Sequence, residues 1–257
     1  MIYFICIAFF FAVWFVTEAK LITVRRIKLG GRGIKIAVFS DVHIGKYVSK
    51  AQLIRCIKKI NGQNPDIVLC LGDIAYRHNS SGSITPRETA DILNLLNTGK
   101  RYAVYGNNDY LDNSVTGFSK KVFALAGFCM LENKNTQPCT GLTLIGVSDY
   151  KLKLDNIGKA IAGCSDTDFK LLMVHEPDFF DVACNYPIDL QVSGHSHGGQ
   201  CIGAKYFIKP LLPLYAKKYV RGTHRKNGSV LCISNGVGSH TLPFRFLTPP
   251  DILLIEI

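Results

Sequence analysis

The sequence predicts an α/β domain, on three observations. The chain has 257 residues, of which 47% are hydrophobic and 19% charged, which suits one sizeable folded domain and excludes a disordered or fibrous chain. Short apolar runs rich in β-branched residues alternate with stretches that have helical spacing of apolar positions. Neither an internal repeat nor a low-complexity linker divides the sequence after residue 33.

The elements can be placed in order along the chain. The apolar runs predict strands at 34–40, 66–71, 102–105, 142–147, 170–174, 190–193, 230–233 and 252–257. The apolar positions spaced three and four apart predict helices at 51–60, 89–96, 119–126 and 155–162.

The first sixteen residues, Met1 to Val16, form an uninterrupted apolar segment. A bilayer span needs ~20 residues, so residues 17–19 would complete one. A cleaved signal peptide is the alternative, but no Lys or Arg precedes the apolar run and Thr17-Glu18-Ala19 is a poor cleavage site. We therefore predict a membrane anchor over 1–19, a basic juxtamembrane linker over 20–33 and the main domain over 34–257.

The net charge of +11 is concentrated in two segments. Residues 18–35 hold six basic residues against Glu18, and residues 203–226 hold seven basic residues and no acidic one. Because the first segment follows the apolar run, the positive-inside rule predicts a cytoplasmic domain lying against an anionic membrane surface. The clustering argues against a nucleic-acid coat protein. Nine cysteines without a C-x-x-C pair suit reduced thiols.

Five predicted strands end in polar residues of similar chemistry. These are Asp41-Val42-His43, Gly72-Asp73, Gly106-Asn107, His175, and Gly194-His195-Ser196-His197. An Asp after a strand is usually a cap or turn residue, and a single His there is usually a surface histidine. The conjunction favours a shared site, because the carboxyl ends of neighbouring strands open into one crevice. Carboxylate, imidazole and amide ligands suit Mn, Fe or Zn better than Ca.

This ordered set resembles the calcineurin-like metallophosphoesterase family over nearly the whole chain after about residue 34. Gly198-Gly199-Gln200 and the tail from Gly236 to Pro250 are similar to the bacterial membrane-associated phosphodiesterase branch. The resemblance implies a four-layer αββα sandwich of two mixed sheets flanked by helices, the metallo-dependent phosphatase fold.

The resemblance also implies two divalent metal ions, with Mn the expected ion in vitro. One ion would be held by Asp41, His43, Asp73 and His197, and the other by Asp73, Asn107, His175 and His195. A hydroxide bridging ions ~3.5–4 Å apart would attack phosphorus in line. Asp73 and Asn108 are then the residues expected to carry catalysis.

Asn108 departs from the family pattern, in which a His follows Gly-Asn. An amide donates a hydrogen bond but cannot act as a general acid near pH 7. A leaving group that departs without protonation, such as that of a phosphoanhydride or nucleotide, fits this substitution. The alternative is that His78 or His240 donates the proton.

The segment 205–219 interleaves lysines with apolar and aromatic residues directly after the His195/His197 loop. We predict a lip that contacts substrate or membrane, formed by Lys205, Tyr206, Phe207, Lys209, Leu211, Leu212, Tyr215, Lys217 and Lys218. An irregular loop packed on the domain, or aromatic stacking on single-stranded nucleic acid, are the alternatives.

Together these features predict a hydrolase of phosphodiester or pyrophosphate bonds. Its expected partners are a phosphate ester or phosphoanhydride, including a lipid or lipid-linked nucleotide, and an anionic membrane surface. The alternatives are a cyclic-nucleotide phosphodiesterase or nuclease, and a catalytically idle interaction module of the same fold.

Overall fold

The computed structural model describes residues 3, 9, 13–45, 47–76, 84–110, 113–203, 206, 212–240 and 242–257. In chain order the strands are β1 (Thr23–Lys28), β2 (Lys35–Phe39), β3 (Ile67–Cys70), β4 (Arg101–Ala103), β5 (Cys129–Met130), β6 (Lys134–Cys139), β7 (Leu142–Gly146), β8 (Phe169–Met173), β9 (Leu190–Ser193), β10 (Gly222–Lys226), β11 (Ser229–Ile233) and β12 (Asp251–Glu256). The helices are α1 (Lys50–Asn61), α2 (Pro86–Leu93), α3 (Asn107–Tyr110), α4 (Asn113–Leu125), α5 (Ile157–Ile161) and α6 (Phe180–Ala183), with 3-10 helices at Pro177–Phe179 and His197–Gly199.

These strands form two six-stranded mixed sheets. One has the order β1-β12-β2-β3-β4-β5 and the other the order β10-β11-β9-β8-β7-β6. In the first sheet only the β12·β2 pair is antiparallel among the described pairs. In the second, the outer pairs β10·β11 and β6·β7 are antiparallel and the inner pairs are parallel. The parallel inner strands explain the nearly continuous apolar runs in the sequence.

Three apolar clusters hold the two sheets and the flanking helices together as four layers. Val38 and Leu69 of the first sheet pack with Leu171 and Val192 of the second between the sheets. The outer face of the first sheet packs against α1, α2 and α4. The outer face of the second packs against α5 and α6. The predicted αββα sandwich is confirmed.

Helix α1 shows why the apolar periodicity was informative. Its buried face carries Leu53, Cys56, Ile57 and Ile60, spaced three and four apart. The Ser49 side chain accepts a hydrogen bond from the backbone N–H of Gln52 and so caps the first turn.

Helix α2 begins three residues before its predicted start. Thr85 and Glu88 form a capping box, in which each side chain accepts from the other's backbone N–H, and Pro86 occupies the first turn. This signature sets the start of a helix more strongly than the first apolar position does.

The predicted membrane anchor and cytoplasmic localisation are contradicted. Within the described part of the chain no helix is long and apolar enough to cross a membrane. Residues 13–18 are helical and pack on the domain instead. The Phe15 ring lies 6.0 Å from that of Phe244 and 5.1 Å from that of Phe246. Glu18 is buried and its carboxylate accepts the backbone N–H groups of residues 247 and 248.

The segment 20–33, predicted as a basic linker, contains β1, an edge strand paired along its length with β12. Its cations have partners within the protein. Arg25 lies 3.2 Å from Asp251, and Lys28 lies 3.5 Å from Glu256. The predicted limits of the main domain, 34–257, stay a prediction.

Candidate metal centre

The predicted ligands come from both sheets and meet where the strands end. Asp41 and His43 follow β2, Asp73 follows β3, and Asn107 opens α3 after β4. His175 follows β8, and His195 and His197 follow β9. All seven side chains are buried. A hydrogen bond joins the two sheets here, because the backbone N–H of His195, after β9, donates to the carboxylate of Asp41, after β2, at 3.0 Å.

Five of the seven candidates have a backbone in the left-handed region. Their φ angles are 51° for Asp41, 48° for His43, 52° for Asp73, 63° for His195 and 50° for His197. This conformation is uncommon for residues other than glycine, although Asp and His tolerate it better than most. Such outliers cluster at functional sites, where the surrounding structure holds them in place.

Gly72 and Gly194 permit the close approach of these turns. Gly72 has φ +90°, and a Cβ atom there would overlap the backbone of Gly106. A Cβ on Gly194 would overlap the side chains of Ser40 and Asp41. The glycines in the Gly-Asp and Gly-His motifs therefore have a packing reason for their identity.

One group of potential ligands is formed by Asp41, His43 and His197, whose ligand atoms lie within 4.8 Å of one another. Nε2 of His43 lies 3.2 Å from Nε2 of His197 and 3.9 Å from Oδ1 of Asp41. Nε2 of His197 lies 3.6 Å from the same Asp41 oxygen.

A second group of the same size is formed by Asp73, His175 and His195. Oδ2 of Asp73 lies 3.3 Å from Nε2 of His175 and 3.7 Å from Nε2 of His43. Asp73 thus lies between the two groups, and each group could hold one cation.

Hydrogen bonds to backbone carbonyls determine which ring nitrogen of each histidine can act as a ligand. Nδ1 of His175 contacts the Leu71 carbonyl at 2.6 Å, and Nδ1 of His197 contacts the Gly238 carbonyl at 3.2 Å. Because a carbonyl only accepts, both Nδ1 atoms carry a proton, so Nε2 is the atom of each ring that is left to bind a metal. In His195 the pattern is reversed, since Nε2 contacts the Leu214 carbonyl at 2.8 Å and Nδ1 keeps the lone pair.

Two oxygen acceptors in this centre lack a hydrogen bond among the described residues. They are Oδ1 of Asp41 and Oδ1 of Asn107, both buried. Buried polar atoms almost always have a partner. Buried oxygens without a proton donor fit a bound cation, so this side-chain set fits metal ions.

The pKa shifts indicate the protonation states of the side chains that would bind such cations. Burial alone would raise the pKa of Asp73, but the neighbouring His175 and His43 outweigh it and hold this pKa well below its usual range. Burial, followed by His175, lowers the pKa of His195 to about 3. Burial, followed by His43, also lowers the pKa of His197. Asp73 is an anion and the rings of His195 and His197 are neutral, which is the protonation state that metal coordination needs. Burial alone would lower the pKa of His175, but Asp73 and Asp41 outweigh it and raise this pKa well above its usual range, so a cation would displace the proton on Nε2 of His175.

Asp109 follows Asn108 directly in the sequence and was not predicted to have a role. Its Oδ2 accepts the backbone N–H groups of Asp73 and Gly106 at 2.8 and 2.9 Å, and its Oδ1 accepts the Ser119 hydroxyl at 2.6 Å. Burial, followed by Asp73, raises the pKa of Asp109 to about 7. Asp109 therefore fixes two of the turns that carry predicted ligands.

Two further acidic residues near the centre, Asp149 and Glu176, were also not predicted. Both are fully buried. Burial raises the pKa of Glu176 to about 8, with Asp149 acting in the same direction against His175. Glu176 follows His175 in the sequence, but nothing local distinguishes it from a surface acid.

Asn108 and His240 both lie at the centre. The Asn108 side chain donates to Oδ2 of Asp73 at 2.6 Å. The His240 ring centroid lies 5.9 Å from that of His43 and 5.8 Å from that of His197. His78, the other candidate proton donor, lies outside the described residues.

The predicted lip is only partly described. Lys205, Phe207, Lys209 and Leu211 lie outside the described residues. Of the remainder, Tyr206 is 82% exposed and Leu212 is buried. Tyr215 packs against Tyr150 with ring centroids 4.8 Å apart.

The two described lysines of this segment, Lys217 and Lys218, have partners on α6 and the 3-10 helix before it. Nζ of Lys218 lies 2.6 Å from Asp181, and the backbone N–H of Lys217 donates to Asp178 at 3.1 Å. Leu214, which was not among the residues predicted for the lip, contacts a predicted ligand, since its carbonyl lies 2.8 Å from Nε2 of His195.

Fold and site together define a two-sheet hydrolase domain with paired metal-binding groups. Residues 34–199 match the family described as calcineurin-like phosphoesterase, and the chain belongs to this family. It is a phosphoester hydrolase.

Relatives agree with this assignment. The uncharacterized metallophosphoesterase YkuE of Bacillus subtilis (strain 168) is 30% identical, covering 89% of this chain and 80% of that protein. A putative metallophosphoesterase of Caenorhabditis elegans is 26% identical over 93% of this chain and 52% of that protein. A dimetal phosphatase structure from Danio rerio has the same fold, with a TM-score of 0.54 at 12% identity, covering 82% of this chain and 90% of that one.

Proposed function

We propose that the protein hydrolyses a phosphodiester or pyrophosphate bond with two divalent metal ions. The observation that carries the proposal is the pair of buried ligand groups with Asp73 between them, beside which the buried oxygens Oδ1 of Asp41 and Oδ1 of Asn107 have no hydrogen-bond donor among the described residues. Asp41, His43, Asp73 and His197 would hold one ion. Asp73, Asn107, His175 and His195 would hold the other. When bound, two such ions lower the pKa of a shared water and offset charge on the phosphate oxygens.

The residues of the chain supply orientation and proton control. Asp73 is held through both carboxylate oxygens, since the Asn108 backbone N–H donates to Oδ1 at 2.9 Å and its side chain donates to Oδ2. The Asn108 amide can donate a hydrogen bond to a phosphate oxygen but has no proton to give to a leaving group. This favours leaving groups that depart as stable anions.

His240 supplies an alternative route for the proton. Its ring lies about as far from His43 as from His197, so it borders the group that would hold the first ion. A protonated imidazole there could serve substrates with more basic leaving groups.

A lipid-linked substrate is the finer form of the proposal. It is supported by the exposed side chains of Tyr206 and Leu214, which follow the His195/His197 loop in the sequence. The residue that joins this segment to the centre is Leu214, through its carbonyl.

The test is hydrolysis of bis-p-nitrophenyl phosphate by the full chain with Mn, together with metal content by mass spectrometry. Asp73→Asn should lose both turnover and at least one metal per chain. Asp168→Asn is the matched control, because Asp168 is also buried but bonds Thr143 and Gln137 in β6 and β7. Equal turnover in wild type and Asp73→Asn would refute the proposal.

A further inference from the structure

Arg245 is fully buried, and all of its hydrogen bonds among the described residues go to main-chain carbonyls. The accepting residues are His197, Asn235, Gly236, Gly238 and Thr248, at 3.2 Å for His197, 2.7 Å for Asn235 and 3.0 Å for Thr248. A guanidinium has five N–H donors in a rigid plane, so it can hold several turns in one arrangement.

Two of these carbonyls belong to the metal centre. Arg245 donates to the carbonyl of His197 itself and to the Gly238 carbonyl, which also accepts Nδ1 of His197. The Gly238 carbonyl therefore has two donors, one from each side. Its position determines where the proton of the His197 ring resides and where Nε2 points.

The segment that carries Arg245 is in turn held by residues 13–18. The Glu18 carboxylate accepts the N–H of Thr248 at 2.6 Å and that of Leu247 at 3.0 Å, and the Trp14 indole donates to it at 2.7 Å. The backbone N–H of Arg245 donates to the Phe15 carbonyl at 3.1 Å. The backbone of the segment that carries the guanidinium is thus held by residues 13–18.

We propose that Arg245 is a positioning residue for His197. It holds the Gly238 carbonyl so that the His197 ring keeps its proton on Nδ1 and presents Nε2 to the metal group. The proposal rests on the metal centre of the proposed function. Residues that orient a metal-binding histidine through its second nitrogen commonly change metal affinity by about 10–100-fold when replaced.

The experiment compares full-length wild type with Arg245→Met, which keeps the length of the side chain and removes its donors. Arg101→Met is the matched control. Arg101 donates to the carbonyls of Leu96, Thr98 and Ala126, but it begins β4 at the end of the sheet away from the ligands. Both variants lose a carbonyl-binding guanidinium, and only Arg245→Met should affect the metal.

Two readouts decide the outcome. Calorimetric titration of metal-free protein with Mn should show affinity for one ion about 10–100-fold weaker in Arg245→Met and unchanged in Arg101→Met. The 15N spectrum of the histidine rings in metal-free protein, assigned with His197→Asn, should show Nδ1 of His197 protonated in wild type and a mixture of tautomers in Arg245→Met.

Unchanged Mn affinity and an unchanged His197 tautomer in folded Arg245→Met would overturn the proposal. If Arg245→Met does not fold, Arg245→Lys decides by the same two measurements, because an ammonium cannot serve all five carbonyls. A wild-type protein that binds no Mn would instead overturn the proposed function, and the positioning role would fall with it.

Discussion

The side-chain amide of Asn108 donates a 2.6 Å hydrogen bond to Oδ2 of Asp73, the carboxylate that lies between the two ligand groups. The backbone N–H of Asn108 donates to the other oxygen of the same carboxylate at 2.9 Å. Asn108 therefore orients the residue proposed to contact both ions, at the position where the wider family has an ionisable side chain. The absence of an acidic proton here should appear in the dependence of rate on the leaving group.

We expect Asn108→His to help poor leaving groups more than good ones. A general acid contributes about 10²–10⁴-fold when it protonates the departing oxygen. The ratio of kcat/KM for a phenyl to that for a p-nitrophenyl phosphodiester should therefore rise by at least about tenfold. Asn108→Gln keeps an amide and serves as the control, with an unchanged ratio. An unchanged ratio in Asn108→His would show that another group, such as His240, already donates the proton.

The fold could be predicted from the sequence except at the margins of the sheets. All eight predicted strands are present within two residues of their predicted limits. The four strands that were missed, β1, β5, β6 and β10, are the outer strands of the two sheets. They lack an apolar run because they are short or face solvent, so hydrophobic pattern gives no signal there.

The grouping of these Asp and His side chains could be predicted because they follow strands, where motif and position coincide. The residues that support it could not. Glu18 and Thr248 are hydrogen-bonded but lie 230 positions apart in the sequence. Arg245 binds backbone carbonyls, and because every residue has one, the sequence does not show which of them Arg245 binds. Such contacts depend on the tertiary fold, and an Arg in a Pro-rich tail has no local pattern that distinguishes it from a surface cation.

Gly194→Ala should destabilise the domain and weaken metal binding. The added Cβ would overlap the side chains of Ser40 and Asp41, and overpacking of this kind typically costs about 1–3 kcal/mol. Urea denaturation of metal-free protein measures the loss. Gly158→Ala in α5 is the control, because its Cβ would meet only Asn156 at 3.8 Å and alanine favours a helix. Equal unfolding free energies for the two variants would contradict the close packing described here.

Stability should fall at alkaline pH partly through Cys56. Burial raises the pKa of this thiol from 9.0 to about 12, with Lys59 acting in the opposite direction. Above pH 9 the unfolded chain loses the thiol proton while the folded chain keeps it, so the unfolded state is favoured as pH rises. The contribution is fully present below pH 9 and is lost between pH 9 and about 12.

The measurement is the free energy of unfolding between pH 8 and 11 for wild type, Cys56→Ala and Cys129→Ala. Cys56→Ala should flatten the decline, because each pKa unit corresponds to about 1.4 kcal/mol. Cys129 is exposed, so its replacement should leave the slope unchanged. A slope in Cys56→Ala that equals the wild-type slope would show that this thiol titrates alike in both states.

Metal binding should stabilise the folded protein strongly, because the centre buries oxygen acceptors that have no donor. Oδ1 of Asp41 and Oδ1 of Asn107 have no hydrogen bond among the described residues. A ligand that binds only the folded state adds about 2.7 kcal/mol at a free concentration of 100 times its Kd. For a chain of this size that corresponds to a rise in Tm of roughly 5–10 °C.

Differential scanning calorimetry in EDTA and then in excess Mn measures this rise. Asp73→Asn should show a much smaller rise, because the carboxylate proposed to contact both ions is gone, while Asp168→Asn should respond like wild type. Ca should stabilise less than Mn, since histidine nitrogens are poor ligands for Ca. A Tm that does not move with Mn in the wild type would mean that the buried oxygens of Asp41 and Asn107 are satisfied by protons or water, and the two-metal interpretation would fail.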